Sequence, residues 1–329
     1  MAALDAWLDT IDSVSGSELR PASVDASFRR YFRLQKNEQT LIVMDAPPEQ
    51  EDCVPYIRVA GFLESMQLNA PRIVEANLDA GFLLITDLGS QQYLDKLNTD
   101  PDAAGALYSD ALTALARMQR RGTSFQALLP PYDEELLRFE LALFHDWLCG
   151  KHLGIRFCAA EETSWQALCD LLVRNALEQP AVFVHRDYHS RNLMVTAENN
   201  PGILDFQDAV EGPLTYDLVS LLKDCYVRWE PQRVRAWLRE FYDQLDSTLR
   251  QQVDFDLFNR YFDLMGTQRH IKAAGIFSRL NHRDSKPAYM RDVPRTLDYI
   301  VELGPHYPEL GWLIDLVSSR ILPALEASR

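Results

Sequence analysis

Apolar residues in the first part of the chain alternate at some places and recur with helical spacing at others. Residues 32–34 and 41–44 are strand-like segments on either side of a polar turn at 36–39, and residues 81–85 form a further apolar strand. Between them, residues 56–67 carry apolar side chains at three- and four-residue intervals. This order of strand, strand, helix and strand predicts a small sheet with one helix.

The remainder of the chain is mainly of helical pattern. Apolar residues recur at helical spacing, with acidic or hydroxyl residues near the start, in 100–118, 133–148, 163–177, 233–245 and roughly 254–280. We expect most aromatic residues there to lie in the core, among them Phe139, Phe144, Trp147 and Trp165. The pattern as a whole predicts an α+β protein with a small antiparallel-sheet lobe followed by a larger, mainly helical lobe.

One hairpin interrupts the helical pattern. Residues 182–184 form a short apolar strand that precedes the hairpin. The first strand of the hairpin is 193–195, and the turn formers at 197–202 return the chain into the second strand, which begins with Ile203 and Leu204. Asn192 immediately precedes the first strand of the hairpin and Asp205 follows the second. Antiparallel pairing therefore predicts that these two side chains lie side by side, and their oxygens are the hard ligands that Mg²⁺ prefers.

The segment His185-Arg186-Asp187-Tyr188-His189-Ser190-Arg191-Asn192, with Asp205-Phe206 downstream, resembles the protein-kinase signature His-Arg-Asp-x-x-x-x-Asn. Asp and Asn are also common loop residues, and Asp-x-x-x-x-Asn alone is a weak signal. The conjunction of His185, Asp187, Asn192, the hairpin spacing and Asp205-Phe206 favours a phosphoryl-transfer site.

His189 indicates which branch of the kinase-like proteins the chain resembles. The segment from His185 to Leu193 is similar to the His-Gly-Asp-x-His-x-x-Asn-Leu pattern of the aminoglycoside phosphotransferase and choline kinase group, and Gly212 to Leu218 resembles that group's Gly-x-x-x-x-Asp-Leu element. The resemblance covers nearly the whole chain but is specific only around residues 183–218. It implies a protein-kinase-like two-lobe fold, with an N-lobe at 1–88 and a C-lobe at 89–329, that uses ATP and Mg²⁺.

The resemblance also implies roles for individual residues. Asp187 would be the catalytic residue, and Asn192 and Asp205 would be the metal ligands. His185 and Asp217 would support the catalytic loop. The hinge that binds adenine would be formed by Thr86, Asp87 and Leu88. An ordinary turn at the end of a strand is an equally good interpretation of this short segment alone, and its position between the sheet and the helical part of the chain favours the hinge.

The nucleotide loop departs from the kinase pattern. The chain has no glycine-rich loop, so Ser27, Phe28, Arg29 and Arg30 are the candidate phosphate contacts, and Met44 stands where the resemblance expects a phosphate-binding lysine. Either a basic side chain at position 29, 30, 33 or 36 replaces the lysine, or magnesium and backbone amides carry more of the phosphate charge. We favour an arginine from 29–33, because its guanidinium matches oxyanion geometry.

Composition and net charge predict the cellular compartment of the protein and argue against some classes of partner. It has 329 residues, 47% of them hydrophobic, with no run approaching the ~20 apolar residues of a membrane span. Acidic residues where a signal peptide would be basic, and five cysteines without a metal-binding spacing, predict a cytoplasmic protein with reduced thiols. A net charge of −15 argues against nucleic-acid or membrane partners. We expect a monomer.

The acceptor is the hardest part to predict. Residues 268–280 are locally basic, which suits a neutral or anionic acceptor. They resemble, together with residues 41–48 and 27–33, the bacterial anomeric amino-sugar kinases that phosphorylate N-acetylmuramate and N-acetylglucosamine at C1 in cell-wall recycling. The resemblance makes His189, Arg191, Arg269 and His270 candidate substrate-binding residues. Arg269 could equally lie on a solvated helix face, and His270 in the core.

Three other functions stay open. A kinase of a cationic small molecule, of aminoglycoside or choline type, would share every catalytic residue and differ only in its pocket. A protein kinase is disfavoured because residues 205–217 are too few for a regulated activation loop. Met44 suggests a nucleotide-binding pseudokinase, whereas the retention of Asp187, Asn192 and Asp205 argues against one.

Overall fold

The computed structural model describes residues 2–24, 28–36 and 39–327. Its strands are β1 (Leu19–Val24), β2 (Arg30–Lys36), β3 (Gln39–Asp45), β4 (Ile73–Asn77), β5 (Phe82–Thr86), β6 (Ala181–Val184), β7 (Leu193–Met194), β8 (Gly202–Ile203) and β9 (Val210–Pro213). Its helices are α1 (Ala2–Leu8), α2 (Val54–Ser65), α3 (Tyr93–Thr99), α4 (Ala104–Gly122), α5 (Glu134–Leu143), α6 (Ala159–Leu177), α7 (Tyr216–Leu222), α8 (Pro231–Gln244), α9 (Ser247–Gln252), α10 (Phe255–Arg283), α11 (Val293–Val301), α12 (Gly311–Leu316) and α13 (Leu322–Ala327).

Two compact units are formed from these elements. The first comprises the described residues up to Ala103 together with Asn192–Asp208, and the second comprises Ala104–Arg191 and the described residues from Ala209 onward. The predicted lobes at 1–88 and 89–329 stay a prediction, since the compact units follow other boundaries. Helix α3 and the hairpin β7–β8 both belong to the first unit.

A five-stranded antiparallel sheet in the order β1-β2-β3-β5-β4 dominates the first unit. The predicted strands at 32–34, 41–44 and 81–85 are confirmed as β2, β3 and β5, and the predicted helix at 56–67 as α2, with shifts of one or two residues at the start of β5 and at the end of α2. One face of the sheet packs on the N-terminal helix through a buried apolar cluster that includes Leu4, Leu34, Val43 and Leu84. The pattern analysis missed β1 and β4, which lie at the two edges of the sheet.

The hairpin β7–β8 pairs Leu193 with Ile203 and Met194 with Gly202, as predicted. It is anchored within the first unit because the Ile203 N–H donates to the carbonyl of Asn69 at 2.7 Å. A side chain at position 202 would be tightly packed, since a Cβ there would lie 3.0 Å from Leu88 Cδ1 and 3.1 Å from Met194 Cβ. Glycine at this turn exit therefore allows the hairpin to pack closely.

The second unit is mainly helical, and the predicted helices are confirmed with small shifts at their ends. Asp133 and Asp254 cap α5 and α10, because their carboxylates accept hydrogen bonds from Leu136 N at 2.9 Å and Leu257 N at 2.8 Å. Helix α5 does not continue regularly to residue 148 but passes into a π-helical segment, Phe144–His152.

Among the aromatic residues predicted to lie in the core, Phe144 and Trp165 are buried and Trp147 is half-buried. The prediction was wrong for Phe139, whose exposed fraction is 57%. Helix α5 turns Leu137, Glu140 and Leu141 inward, and Phe139 is two residues from both leucines, which places it on the opposite face of the helix.

Helix α10 spans 29 residues and is the central element of the second unit. It lies against the junction of α5 and the π-helical segment at Gly275, where a Cβ would be 2.4 Å from Leu143 C and 2.5 Å from Phe144 N. Only glycine permits this approach of helix to backbone. The contact fixes the position of the charged residues that α10 carries at 269 and 272.

The five cysteines are free, and all except Cys158 are buried. Burial raises the pKa of the Cys149 and Cys169 thiols to about 12, so both are protonated at neutral pH. Among the described residues, no helix combines the length and apolar character needed to cross a membrane.

Candidate active site

The loop that follows β6 is held by one buried carboxylate. Asp217, at the start of α7, accepts hydrogen bonds from the backbone N–H groups of His185 at 2.6 Å and Arg186 at 2.9 Å. Arg186 has a φ of +77°, an uncommon conformation for a residue with a side chain. The Asp217 contacts stabilise that conformation, and Asp187 N donates to His185 Nδ1 at 3.2 Å, which continues the turn.

Burial raises the pKa of Asp217 to about 7, although the two N–H donors and the nearby Arg269 guanidinium act in the opposite direction. An oxygen that accepts a backbone N–H at 2.6 Å is best satisfied as a carboxylate. This is the arrangement expected of a residue that braces the catalytic loop, the role that the sequence resemblance implies for Asp217.

Asp187 lies half-buried among positive charges. Burial acts to raise the pKa of its carboxyl group, but Lys272, Arg269, His189 and Arg186 outweigh that effect and lower the pKa to about 2. Asp187 is therefore ionised throughout the physiological pH range. It can accept a hydrogen bond from a hydroxyl group, and it is a weak base.

A buried acidic residue that the sequence analysis did not predict organises two of these cations. Glu140 on α5 forms ion pairs with Arg186 at 2.5 Å and with Lys272 at 2.7 Å, and it accepts a hydrogen bond from the Tyr132 hydroxyl. Burial would raise the pKa of Glu140, yet the two cations hold it below its ordinary value. The signal that could have found Glu140 is its position three residues after Leu137, which places a charged side chain on the apolar face of the predicted helix.

Asn192 and Asp205 are brought together within the first unit, as the hairpin predicts. Asn192 Nδ2 lies 3.2 Å from Asp205 Oδ2, and the Leu204 N–H donates to the Asn192 carbonyl at 2.9 Å. Asp205 has a φ of +59°, and the ring of Phe206 packs on Tyr56 of α2 with centroids 4.7 Å apart. These contacts fix the carboxylate at the end of the hairpin.

The donor set at this pair fits magnesium. It consists of one carboxylate and one amide oxygen, which are hard ligands, and Mg²⁺ in nucleotide sites uses one or two protein groups together with water and phosphate oxygens. Gln207 Nε2 donates to the other carboxylate oxygen of Asp205 at 2.8 Å. No cluster of three or more His, Cys, Asp or Glu residues that could hold a metal occurs in the part of the chain that the structure describes.

The predicted hinge follows β5. Asp87 is bound by the guanidinium of Arg33, with Nε 2.6 Å from Oδ2 and Nη2 3.0 Å from Oδ1. The same Nη2 donates to the carbonyl of Gly89 at 2.8 Å, and the Thr86 hydroxyl accepts from Arg72 N at 2.9 Å. The side chains of Thr86 and Asp87 therefore shape the segment that continues to Leu88.

The residues predicted to contact the phosphates differ in exposure and in their partners. Ser27 lies outside the described residues, the Phe28 ring is exposed, and Met44 is buried in the sheet with an exposed fraction of 1%. Arg30 forms an ion pair with Asp45 on the neighbouring strand. Arg29 lies 3.1 Å from Glu51 and 3.9 Å from Asp205, so it is the member of the set that stands beside a predicted metal ligand.

Arg191 lies between two tyrosine rings that the sequence analysis also missed. Its guanidinium carbon is 4.7 Å from the ring centroid of Tyr226 and 5.5 Å from that of Tyr289. Burial acts to lower the pKa of Arg191, but the two tyrosines outweigh that effect and raise it. His189 meets Tyr226 edge to face at 5.4 Å, and its buried Nδ1 has no hydrogen-bond partner among the described residues.

Arg269 and His270 are adjacent on α10 but differ in surroundings. The Arg269 guanidinium lies 5.3 Å from the Tyr216 ring centroid and acts on the Asp187 carboxylate. His270 stacks on Tyr299 at 4.7 Å, and its Nε2 lies 2.9 Å from the Lys223 carbonyl. Burial lowers the pKa of His270 to about 3. The structure therefore gives no support to His270 as a substrate ligand and indicates a neutral core histidine.

Comparison with known proteins agrees with the phosphotransferase chemistry that the fold and these residues define. The model of the phosphotransferase enzyme family matches residues 18–256, and the chain belongs to that family. An N-acetylmuramate/N-acetylglucosamine kinase of Pseudomonas aeruginosa is 47% identical over 327 residues, covering 96% of this chain and 95% of the relative. A protein with the same name from Neisseria meningitidis is 38% identical, covering 94% and 93% of the two chains.

Solved structures show the same fold at low sequence identity. An ADP-bound aminoglycoside phosphotransferase, APH(2'')-Ib, superposes with a TM-score of 0.59 at 16% identity and covers 91% of this chain and 97% of its own. Choline kinase LicA from Streptococcus pneumoniae also gives a TM-score of 0.59, at 12% identity, covering 91% and 97%. The predicted protein-kinase-like α+β fold is confirmed.

Proposed function

We propose that this protein transfers the γ-phosphoryl group of ATP to the anomeric hydroxyl of N-acetylmuramate and N-acetylglucosamine. The observation that carries the phosphotransfer is the Asn192–Asp205 pair at the hairpin, where Asn192 Nδ2 lies 3.2 Å from Asp205 Oδ2. The side-chain oxygens of this pair would serve as ligands for a magnesium–nucleotide complex. The acceptor is supported by the 47% identity to a relative named as a kinase of these two sugars.

Asp187 is the residue that orients the acceptor in this proposal. Its carboxylate is ionised and accepts a hydrogen bond from the sugar hydroxyl, which aligns the oxygen for attack on the γ-phosphorus. A carboxylate with a pKa of about 2 is a weak base, so it takes the proton late, as the new O–P bond forms and the bond to ADP breaks. The anomeric hydroxyl suits such a base, because the ring oxygen makes it more acidic than the other sugar hydroxyls.

The metal ligands have a separate role. Magnesium bound with ATP offsets the negative charge on the phosphate oxygens. Asn192 and Asp205 would hold it with their side-chain oxygens. The positive φ of Asp205 and the packing of Phe206 on Tyr56 keep the carboxylate in position before the nucleotide arrives, so little reorganisation is needed. The hinge at 86–88 would contact adenine through its backbone.

Arg191 and His189 are our candidates for contact with the sugar. The two tyrosines restrict the Arg191 guanidinium without neutralising it, so it can form a charge-assisted pair with the lactyl carboxylate of N-acetylmuramate. His189 Nδ1 is available to a sugar hydroxyl or the acetamido group. The concentration of positive charge around Asp187 also disfavours a cationic acceptor.

The cellular setting belongs to the same proposal. Phosphorylation at C1 would trap amino sugars released from the cell wall, so we assign the protein to peptidoglycan recycling in the cytoplasm, where ATP is available. Five cysteines without a disulfide are consistent with a reducing compartment. We propose that the protein acts as a monomer on small molecules.

A coupled assay of ADP formation tests the proposal. Wild type is supplied with MgATP and, in separate reactions, N-acetylmuramate, N-acetylglucosamine, an aminoglycoside or no acceptor. We expect turnover with both sugars, with a lower KM for N-acetylmuramate because only this sugar carries a carboxylate for Arg191. Turnover with the aminoglycoside alone, or with no acceptor, would refute the assignment.

Variants in the same assay test the role of Asp187. Asp187→Asn keeps the size of the side chain but removes its charge, and we expect kcat to fall by at least about 10³-fold with the fold retained. The matched control is Asp243→Asn, which makes the same replacement at an exposed position of α8 and leaves kcat unchanged. Equal activity of the two variants would remove Asp187 from the mechanism.

A further inference from the structure

Proteins of kinase-like fold use a lysine on the third sheet strand, paired with a glutamate, to bind the ATP phosphates. This chain has Met44 on β3 instead, and the side chain is buried in the sheet. Of the two alternatives that this leaves, a replacing cation or a larger share of the phosphate charge on magnesium and backbone amides, the first can be examined directly in the structure. The side chains at positions 29, 30, 33 and 36 are the basic candidates in the neighbouring segment, and the structure separates them by the partners that each one has.

Three of the four cations are bound to groups of the segment before β1, of the predicted hinge or of β3. Lys36 Nζ donates to the carbonyls of Asp12 and Ser15, at 3.1 Å each, and so ties the N-terminal segment to β2. Arg33 binds Asp87 and Gly89 at the predicted hinge. Arg30 pairs with Asp45 across the β2–β3 ladder, and its side chain is more than half exposed.

Arg29 has a different set of partners. Its Nε lies 3.1 Å from Glu51 Oε2, while Glu51 Oε1 accepts the backbone N–H of Phe28 at 3.1 Å. One carboxylate thus holds both the backbone and the guanidinium of this short segment. Arg29 Nη1 lies 3.9 Å from Asp205 Oδ1, although Arg29 and Asp205 are 176 residues apart in the sequence.

We propose that Arg29, held by Glu51, is the phosphate-binding cation of this protein and that the Arg29–Glu51 pair replaces the lysine–glutamate pair of other kinases. The inference rests on the proposed use of ATP. The side chain is only 12% exposed, so its charge is little screened by solvent. A guanidinium beside the carboxylate of Asp205 stands where the negative charge of a metal-bound triphosphate would lie, and its planar donors match phosphate oxygens.

Glu51 is a positioning residue in this scheme. It fixes the guanidinium by an ion pair from the loop that precedes α2, so Arg29 needs no reordering when nucleotide binds. Burial acts to lower the pKa of Arg29, but Tyr31 and Glu51 outweigh that effect and raise it.

Direct nucleotide binding without a sugar tests the inference separately from the acceptor. Isothermal titration with a non-hydrolysable ATP analogue and magnesium, and with adenosine, is performed on wild type and the Arg29→Gln, Arg29→Lys, Arg30→Gln and Arg20→Gln variants. Arg20 is an exposed arginine of β1 paired with Glu18, so Arg20→Gln is the matched control. Thermal melting of each variant shows that it is folded.

We expect Arg29→Gln to weaken binding of the triphosphate at least tenfold, equal to about 1.4 kcal/mol, and to leave adenosine affinity within twofold of wild type. Arg29→Lys should retain most of the affinity, and Arg20→Gln all of it. A misfolded loop would weaken the binding of the triphosphate and of adenosine equally, and that outcome would overturn the inference.

The inference would also be overturned if Arg29→Gln bound the triphosphate as tightly as wild type. An Arg29→Lys variant that lost as much triphosphate affinity as Arg29→Gln, or an Arg30→Gln variant that lost more, would overturn it as well. If the acceptor assignment fails but the triphosphate-specific loss is seen, the inference about Arg29 still holds. Turnover of the acetylated sugars by wild type, with unaltered nucleotide binding in Arg29→Gln, would leave the proposed function intact and remove Arg29 from it.

Discussion

Replacing Gly275 by alanine should destabilise the protein, while the same change at Gly266 on the same helix should stabilise it. A helix-interior alanine is favoured over glycine by ~1 kcal/mol, and both positions lie within α10. At Gly266 the new methyl group would meet Lys223 Cδ and Val219 Cγ1 at 3.7 Å, which is ordinary van der Waals contact. The gain in helix propensity is therefore retained at this position.

At Gly275 the methyl group would lie 2.4 Å from Leu143 C, 2.5 Å from Phe144 N and 2.7 Å from Leu143 O. These are backbone atoms, which cannot rotate away, so the two helices must separate by about 1 Å to restore ordinary contact. Overpacking of this kind costs ~1–3 kcal/mol or more, which exceeds the gain in propensity. Because both variants gain the same helix propensity, the difference between them is the overpacking cost alone, ~1–3 kcal/mol.

Thermal unfolding followed by circular dichroism measures this difference. For a unit of this size each kcal/mol moves Tm by ~2–4 °C, so Gly275→Ala should melt roughly 2–12 °C below Gly266→Ala, with wild type between them. Because α10 carries Lys272, the displacement should also weaken its ion pair with Glu140 and lower kcat. A Gly275→Ala variant that melts at or above Gly266→Ala would refute the packing argument.

Two further predictions concern buried charge. Glu140→Gln leaves Arg186 and Lys272 without their carboxylate, so we expect the free energy of unfolding, measured in urea, to fall by ~3–5 kcal/mol. Glu134→Gln at an exposed position of the same helix should lower it by under ~1 kcal/mol. Equal losses in the two variants would contradict the role of Glu140 in a buried charge cluster. Because the pKa of His270 is lowered to about 3, the unfolded chain binds a proton near pH 6.5 that the folded chain does not, so stability falls as pH drops below 6.5. His270→Gln should remove ~1.4 kcal/mol per pH unit of that decline between pH 6 and 4, and an unchanged slope would show that His270 is not buried neutral.

The hairpin at 193–203 shows what local sequence can predict. Turn formers at 197–202 and apolar strands on each side predict antiparallel pairing, and this pairing brings Asn192 opposite Leu204 and so beside Asp205. The same reasoning found the central strands and the long helices. Each of these features depends on residues that are close in the sequence.

Features that depend on distant partners were not predicted. Strands β1 and β4 are edge strands whose polar residues obscure the alternation, and β1 also contains a proline. Tyr226 and Tyr289 surround Arg191 only after the second unit has folded. For His270, a helical basic segment could not show that the ring would stack on Tyr299 in the interior.

The insertion of Asn192–Asp208 into the first unit has a consequence for biosynthesis. The ribosome delivers the five-stranded sheet early, but the segment that completes this unit arrives only after most of the intervening helices have been made. Domains generally fold from the N-terminus as they emerge, and that order cannot finish the first unit here. Its last step is the closure of a long loop, which is slow, so the nascent sheet must persist without the hairpin until residue 208 has left the exit tunnel.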